Sequence, residues 1–129
     1  MTASNSHRAK LLLVDDDDDS VIVMKTKLQN LGYYVDAFTE PKQALKQFKP
    51  GFYDRIITDI RMPAMSGFDF ARQIWELDGN ARVCFMSSFE IHESEAMKTM
   101  PSLRSHCFIK KPVTPSMLAR HVEMHALVY

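Results

Sequence analysis

The sequence predicts an α/β fold: a doubly wound, five-stranded parallel sheet with helices on both faces. Three observations predict it. First, four short runs, 11–14, 55–58, 83–86 and 107–110, are strand-like, and each leads into residues suited to phosphoryl chemistry. Those residues are Asp15 and Asp16, then Asp59, then Ser87, then Lys111 followed by Pro112. Second, strand-like and helix-like periods alternate along the chain. Third, the strand-like runs are apolar almost continuously, which implies burial on both faces. Right-handed crossovers then put helices on both sides of the sheet. The carboxyl ends of the strands share one edge, and ligands bind at that edge in open α/β sheets.

Each element has its own cause. After the first strand, Val21, Met24, Leu28 and Leu31 recur at helical spacing, and Gly32 is a stop signal. Tyr33 to Phe38 reads as a shorter second strand. Thr39-Glu40-Pro41 opens a helix carrying Ala44, Leu45 and Phe48, which Pro50-Gly51 ends. The third strand ends at Asp59, and a loop leads from Met62 to Ser66. Gly67 precedes a helix with Phe70, Ala71 and Ile74 on one face, and Asp78-Gly79-Asn80 forms a turn. The fourth strand ends at Ser87. Ile91 to Met100 is a modest helix cut by Pro101. The fifth strand ends at Lys111, and Thr114-Pro115 opens the last helix.

Size and composition exclude several classes. At 129 residues the chain makes one domain. Residues 10–129 are expected to form it, after a flexible polar tail over 1–9 with no apolar signal core. A formal net charge of zero argues against binding nucleic acid or a membrane through bulk charge. No apolar run is long enough to span a bilayer, so a cytoplasmic protein is expected. Cys84 and Cys107 fall inside strands and read as small, reduced core residues. No linker or output domain is expected after the last helix. The chain then acts through a partner protein, or is a piece of a longer regulator.

The strand-end residues suggest a mechanism. Asp17 to Asp19 suit the N-terminus of the following helix. Asp15 and Asp16 lie closer to the strand end. Neighbouring carboxylates repel unless a cation or proton intervenes. Mg²⁺ suits such a site, because it takes oxygen ligands and bridges carboxylates to phosphate. Asp59 can attack phosphorus and hold it as an acyl phosphate. Lys111 and a divalent cation would neutralise the added charge, and Ser87 could donate to a phosphoryl oxygen.

These motifs together resemble the receiver domain of two-component response regulators. They are Val14-Asp15-Asp16, Asp59 with Met62-Pro63 and Gly67, Ser87, and Lys111-Pro112, and the likeness runs from about Lys10 to the last helix. The resemblance implies a flavodoxin-like receiver fold with strand order 2-1-3-4-5. It implies phosphorylation of Asp59 by a sensor histidine kinase or a histidine phosphotransfer protein. It implies Mg²⁺, or alternatively Mn²⁺, held by Asp16, Asp59 and the main-chain carbonyl of Arg61, with Asp15 acting through water. It also implies a cis peptide at Lys111-Pro112. Ser87 and Phe108 would form the switch, biased by new charge at Asp59. A downstream protein would dock on the face made by the fourth helix, the fifth strand and the last helix, with no direct nucleic-acid or membrane contact. Such a domain is not an enzyme for a separate substrate; it catalyses only its own phosphorylation and dephosphorylation.

Some features depart from the family pattern. Phe108 has no hydroxyl, so its inward state cannot rest on a tyrosine hydrogen bond. Arg61 and Phe89 each lie two residues past a site residue and could screen water, which predicts a long-lived phosphoryl group. Acyl-phosphate decay no slower than in an Arg61→Asn, Phe89→Ala variant would contradict this. The segment Pro101 to His106 lacks the expected glycine-containing turn.

Three other readings compete. A calcium loop over Asp15, Asp17 and Asp19 would need Gly at Ser20 and Glu at Thr26. A haloacid-dehalogenase-like phosphatase would use Asp15 as nucleophile and Asp17 as acid/base, but leaves Asp59, Met62 and Pro63 unexplained. A phosphorylation-independent receiver-like interaction module would not need all five site residues.

Overall fold

The computed structural model describes residues 9–87 and 107–128. Within them the chain alternates strand and helix: β1 (Lys10–Val14), α1 (Asp18–Asn30), β2 (Tyr34–Phe38), α2 (Pro41–Gln47), β3 (Arg55–Asp59), α3 (Gly67–Leu77) and β4 (Val83–Ser87). After the gap come β5 (Cys107–Lys110) and the last helix, α4 (Pro115–Val128). All four strand pairings are parallel, in the order β2-β1-β3-β4-β5. This is the predicted doubly wound, flavodoxin-like topology. The expected helix over Ile91 to Met100, the residues Ser88 and Phe89, and the segment Pro101 to His106 lie outside the described residues.

The central strands β1, β3 and β4 are buried on both faces, whereas the edge strands β2 and β5 are partly exposed. All residues of β3 and of β4 are buried, polar ones included. Alternate residues feed two cores. Leu12, Val14, Ile56, Val83 and Phe85 pack with Ala44 of α2 and Phe70, Ala71 and Ile74 of α3. Leu11, Leu13, Ile57, Cys84 and Met86 pack with Leu28 of α1 and Leu118, Ala119 and Val122 of α4. Cys84 and Cys107 are paired in register on β4 and β5, and both are buried free thiols. Their mutual hydrogen bond and their burial push the Cys84 thiol up, so it stays protonated near neutrality.

Local chemistry sets the helix ends. Asp17 is the N-cap of α1 and accepts from the Asp19 and Ser20 N–H groups. Gly32, at φ 101°, turns the chain out of α1 in a conformation that L side chains rarely adopt. Leu31 caps this end and is 37% exposed, so it lies off the core stripe that its spacing suggested. Helix α2 stops at Gln47, earlier than the Pro50-Gly51 signal implied. Phe48 already has an extended backbone there and packs against the core instead. Ser66 caps α3 by accepting from the Asp69 N–H.

Ala9 is the first described residue and touches β2. Its carbonyl accepts from the Tyr34 N–H at 3.0 Å, which extends the β1–β2 ladder by one residue. Residues 1–8 lie outside the described part.

Candidate functional site

Three strand ends converge at the carboxyl edge. Asp15 follows β1, and its N–H donates to the Phe38 carbonyl of β2 at 3.2 Å, which fixes it at the rim. Asp59 ends β3 and is 8% exposed. Lys111 follows β5, and its N–H donates to the Ser87 carbonyl at 2.8 Å, tying the ends of β4 and β5 together. The Lys111-Pro112 peptide is cis.

The side chains meet. Lys111 Nζ donates to Asp15 Oδ2 at 2.9 Å and lies 3.5 Å from Asp59 Oδ2. Asp15 Oδ1 accepts from the Asp17 N–H at 3.1 Å. Asp59 Oδ1 accepts from its neighbour's N–H, that of Ile60, at 3.1 Å. Carboxylate oxygens of Asp15, Asp16 and Asp59 all lie within 4.8 Å of one another, with Asp16 exposed to solvent. Ser87 is buried at the end of β4, one residue past Met86, which is the register partner of Asp59. Arg61 lies exposed two residues beyond Asp59. Phe108 is not part of the carboxylate cluster. It sits on the α2/α3 side of β5, stacked on Phe85 with ring centroids 5.5 Å apart.

Charge crowding shows in the titration of these groups. Burial pushes the Asp59 carboxyl above its ordinary range; Lys111 pulls it back, while Asp15 and Asp16 add to the rise. Burial alone would lower Lys111, but the hydrogen bond to Asp15 and the charges of Asp15 and Asp59 outweigh it and hold the ammonium above the usual lysine range. Three carboxylates against one ammonium leave negative charge in excess. A small, hard cation with oxygen preference fits that donor set, and Mg²⁺ or Mn²⁺ meets the description.

The Asp59 shift has a consequence for stability without divalent cation. A carboxyl whose folded pKa is raised stabilises the fold below its unfolded value, about pH 4, and loses that contribution as pH rises through the folded value. Relative to Asp59→Asn, metal-free wild type should therefore lose melting temperature over this window, whatever slope the other titrating groups impose on both. Parallel thermal melts in chelator across the acid-to-neutral range check this, and identical slopes would contradict it.

Sequence reasoning treated Gly67 as a motif residue and helix neighbour, and missed its contact. A Cβ on Gly67 would collide with the Asp59 carbonyl oxygen and come within 3.0 Å of Ile60 Cα. Gly67 N–H also donates to the Ile60 carbonyl at 2.7 Å. The first turn of α3 thus packs directly on the backbone that aims Asp59. The opposing atoms are main chain and cannot rotate away. Gly67→Ala should cost about 1–3 kcal/mol. A urea midpoint equal to wild type would contradict it.

The model of the response regulator receiver domain family matches residues 11–123. The chain belongs to the response regulator receiver domain family. The sensor protein EvgS of Escherichia coli K12 is 29% identical over 109 residues, which cover 84% of this receiver and 9% of EvgS. The receiver spans under a fifth of the length of the curated relatives it matches. Chemotaxis protein CheY4 of Vibrio cholerae superposes with a TM-score of 0.79 at 24% identity, covering 90% of this receiver and 97% of CheY4. TrrA of Thermotoga maritima, solved in complex with Mg²⁺ and a beryllium fluoride, is similar at a TM-score of 0.72 and 26% identity, over 90% and 97% of the two chains. No helix among the described residues of the receiver is long and apolar enough to cross a membrane.

Proposed function

We propose that the chain is a phosphoacceptor that takes a phosphoryl group onto Asp59 and signals by changing conformation. One observation carries this reading: the Lys111 ammonium faces Asp15 and Asp59 at the edge where Asp16 completes a carboxylate trio.

The donor is a phosphohistidine on a sensor kinase or a histidine phosphotransfer protein. An Asp59 oxygen attacks phosphorus, an O–P bond forms as the N–P bond breaks, and the leaving imidazole takes a proton. Ile60 N–H holds Asp59 Oδ1, so the carboxylate is oriented before the donor arrives. Lys111 exchanges part of its contact with Asp59 for the incoming phosphoryl oxygens, and Ser87 donates to one of them. Asp16, Asp59 and the Arg61 carbonyl would hold Mg²⁺, which when bound supplies positive charge against those oxygens. Asp15 acts at one remove, since Lys111 and the Asp17 N–H already engage its oxygens. Hydrolysis returns the carboxylate: water attacks phosphorus, the O–P bond breaks and inorganic phosphate leaves. Ser87 and Phe108 transmit the change to a protein docking beside β5 and α4, and the chain works in the cytoplasm.

Asp17 does not suit the acid/base role that a phosphatase built on Asp15 would need. Its side chain caps α1, and the Ser20 hydroxyl and backbone contacts hold its carboxyl below the ordinary range.

Incubation with acetyl phosphate tests the proposal by intact mass. One phosphoryl group should be gained with Mg²⁺ and none after chelation. Unchanged mass in both, or equal labelling in both, would overturn it.

A further inference from the structure

Three aromatic rings join the proposed switch to the first turn of α3. Phe108 of β5 and Phe85 of β4 are register partners, stacked at 5.5 Å with an interplanar angle of 26°. Phe85 is fully buried, and Phe68 of α3 packs on it at 5.0 Å and 50°. The other neighbour of Phe85 in the sheet is Thr58, whose hydroxyl donates to the Asp59 carbonyl. Phe68 directly follows Gly67, which packs on that same carbonyl. The contacts therefore run from the Asp59 backbone through Gly67 and Phe68 to Phe85 and Phe108, without passing through Ser87.

We infer that Phe68 and Phe85 couple the acceptor to Phe108, so that phosphorylation also alters the surface at the N-terminus of α3. Phe85 is fully buried and touches both Phe68 and Phe108, and packed cores rearrange between discrete arrangements rather than deform smoothly. Phe68 and Phe108 are both half-buried, so inward movement of Phe108 against Phe85 is transmitted to Phe68, which can move toward solvent.

This inference rests on the proposed acceptor role of Asp59. Its test is a double-mutant cycle between Phe68→Leu and Phe108→Leu, which remove the rings but keep apolar volume. The probe is beryllofluoride with Mg²⁺, a phosphoryl mimic whose bound fluorine resonances report occupancy directly. Phe68→Leu should shift the binding midpoint roughly threefold, the scale of one aromatic pair. The shift should vanish in the Phe108→Leu background. A midpoint that does not move, or one that moves equally in both backgrounds, overturns the coupling while leaving the acceptor intact. If wild type binds no beryllofluoride, the acceptor role fails, and the coupling with it. Should Phe68→Leu fold poorly, Phe68→Met keeps the volume and carries the same comparison.

Discussion

Asp59→Asn should take up no phosphoryl group from acetyl phosphate and Mg²⁺, whatever the incubation time. The amide cannot act as the attacking oxygen, yet it keeps the shape of the carboxylate and can still accept from the Ile60 N–H. The fold should survive the change, because the substitution also removes a buried charge that is crowded by Asp15 and Asp16. Asp15→Asn gives the contrast. It leaves the nucleophile in place and weakens the group that orients Lys111 and reaches the cation through water, so labelling should slow about 10- to 100-fold and still occur. Intact mass on the two variants separates the readings: labelling that persists in Asp59→Asn and disappears in Asp15→Asn would favour a phosphatase-type nucleophile at Asp15.

Lys111→Met should slow phosphorylation by about a hundredfold or more, the usual effect of deleting one preorganised charge from a transferring phosphoryl group. The aliphatic stem is largely retained, so the loss falls on the ammonium. Removal also leaves Asp15 Oδ2 without its partner at 2.9 Å and Asp59 without the charge at 3.5 Å. That should cost about 1–2 kcal/mol of stability near neutral pH, and the cost should shrink as the carboxylates are protonated. Because a bound cation can replace the missing charge, added Mg²⁺ should raise the melting temperature of Lys111→Met more than that of wild type. Rapid-quench labelling with thermal melts checks both effects. Wild-type labelling rates would remove Lys111 from the chemistry.

Much of the fold could be read from the chain because its causes are local and periodic. The runs at 11–14 and 83–86 are apolar at consecutive positions, as are Ile56 and Ile57 at the centre of 55–58, and only a sheet covered on both faces buries them all. The carboxyl edge they share with 107–110 brings Asp15, Asp59 and Lys111 together, as the strand-end placement implied. The strand order came from resemblance rather than from periodicity, since nothing in a single strand states which neighbour it pairs with. Contacts between backbone and backbone were not legible. The collision that bars a Cβ at Gly67 depends on how the loop from Ile60 to Ser66 folds back, and no side chain announces it. The stack of Phe68, Phe85 and Phe108 was hidden for another reason. Each ring looks like an ordinary core residue in its own segment, and only the β4–β5 register and the seat of α3 align them. Leu31 shows the limit of periodicity: the spacing continues, but the helix has already ended.

The central claim is that separate strand ends build one pocket around a single nucleophilic carboxylate at position 59. Its most direct test is to find the atom that carries phosphorus. The chain is labelled with acetyl phosphate and Mg²⁺, the acyl phosphate is reduced with borohydride, and the peptides are sequenced by mass. Reduction should convert residue 59, and no other aspartate, to homoserine. Homoserine at position 15 or 16, or a fully labelled protein with an unmodified Asp59, would contradict the account.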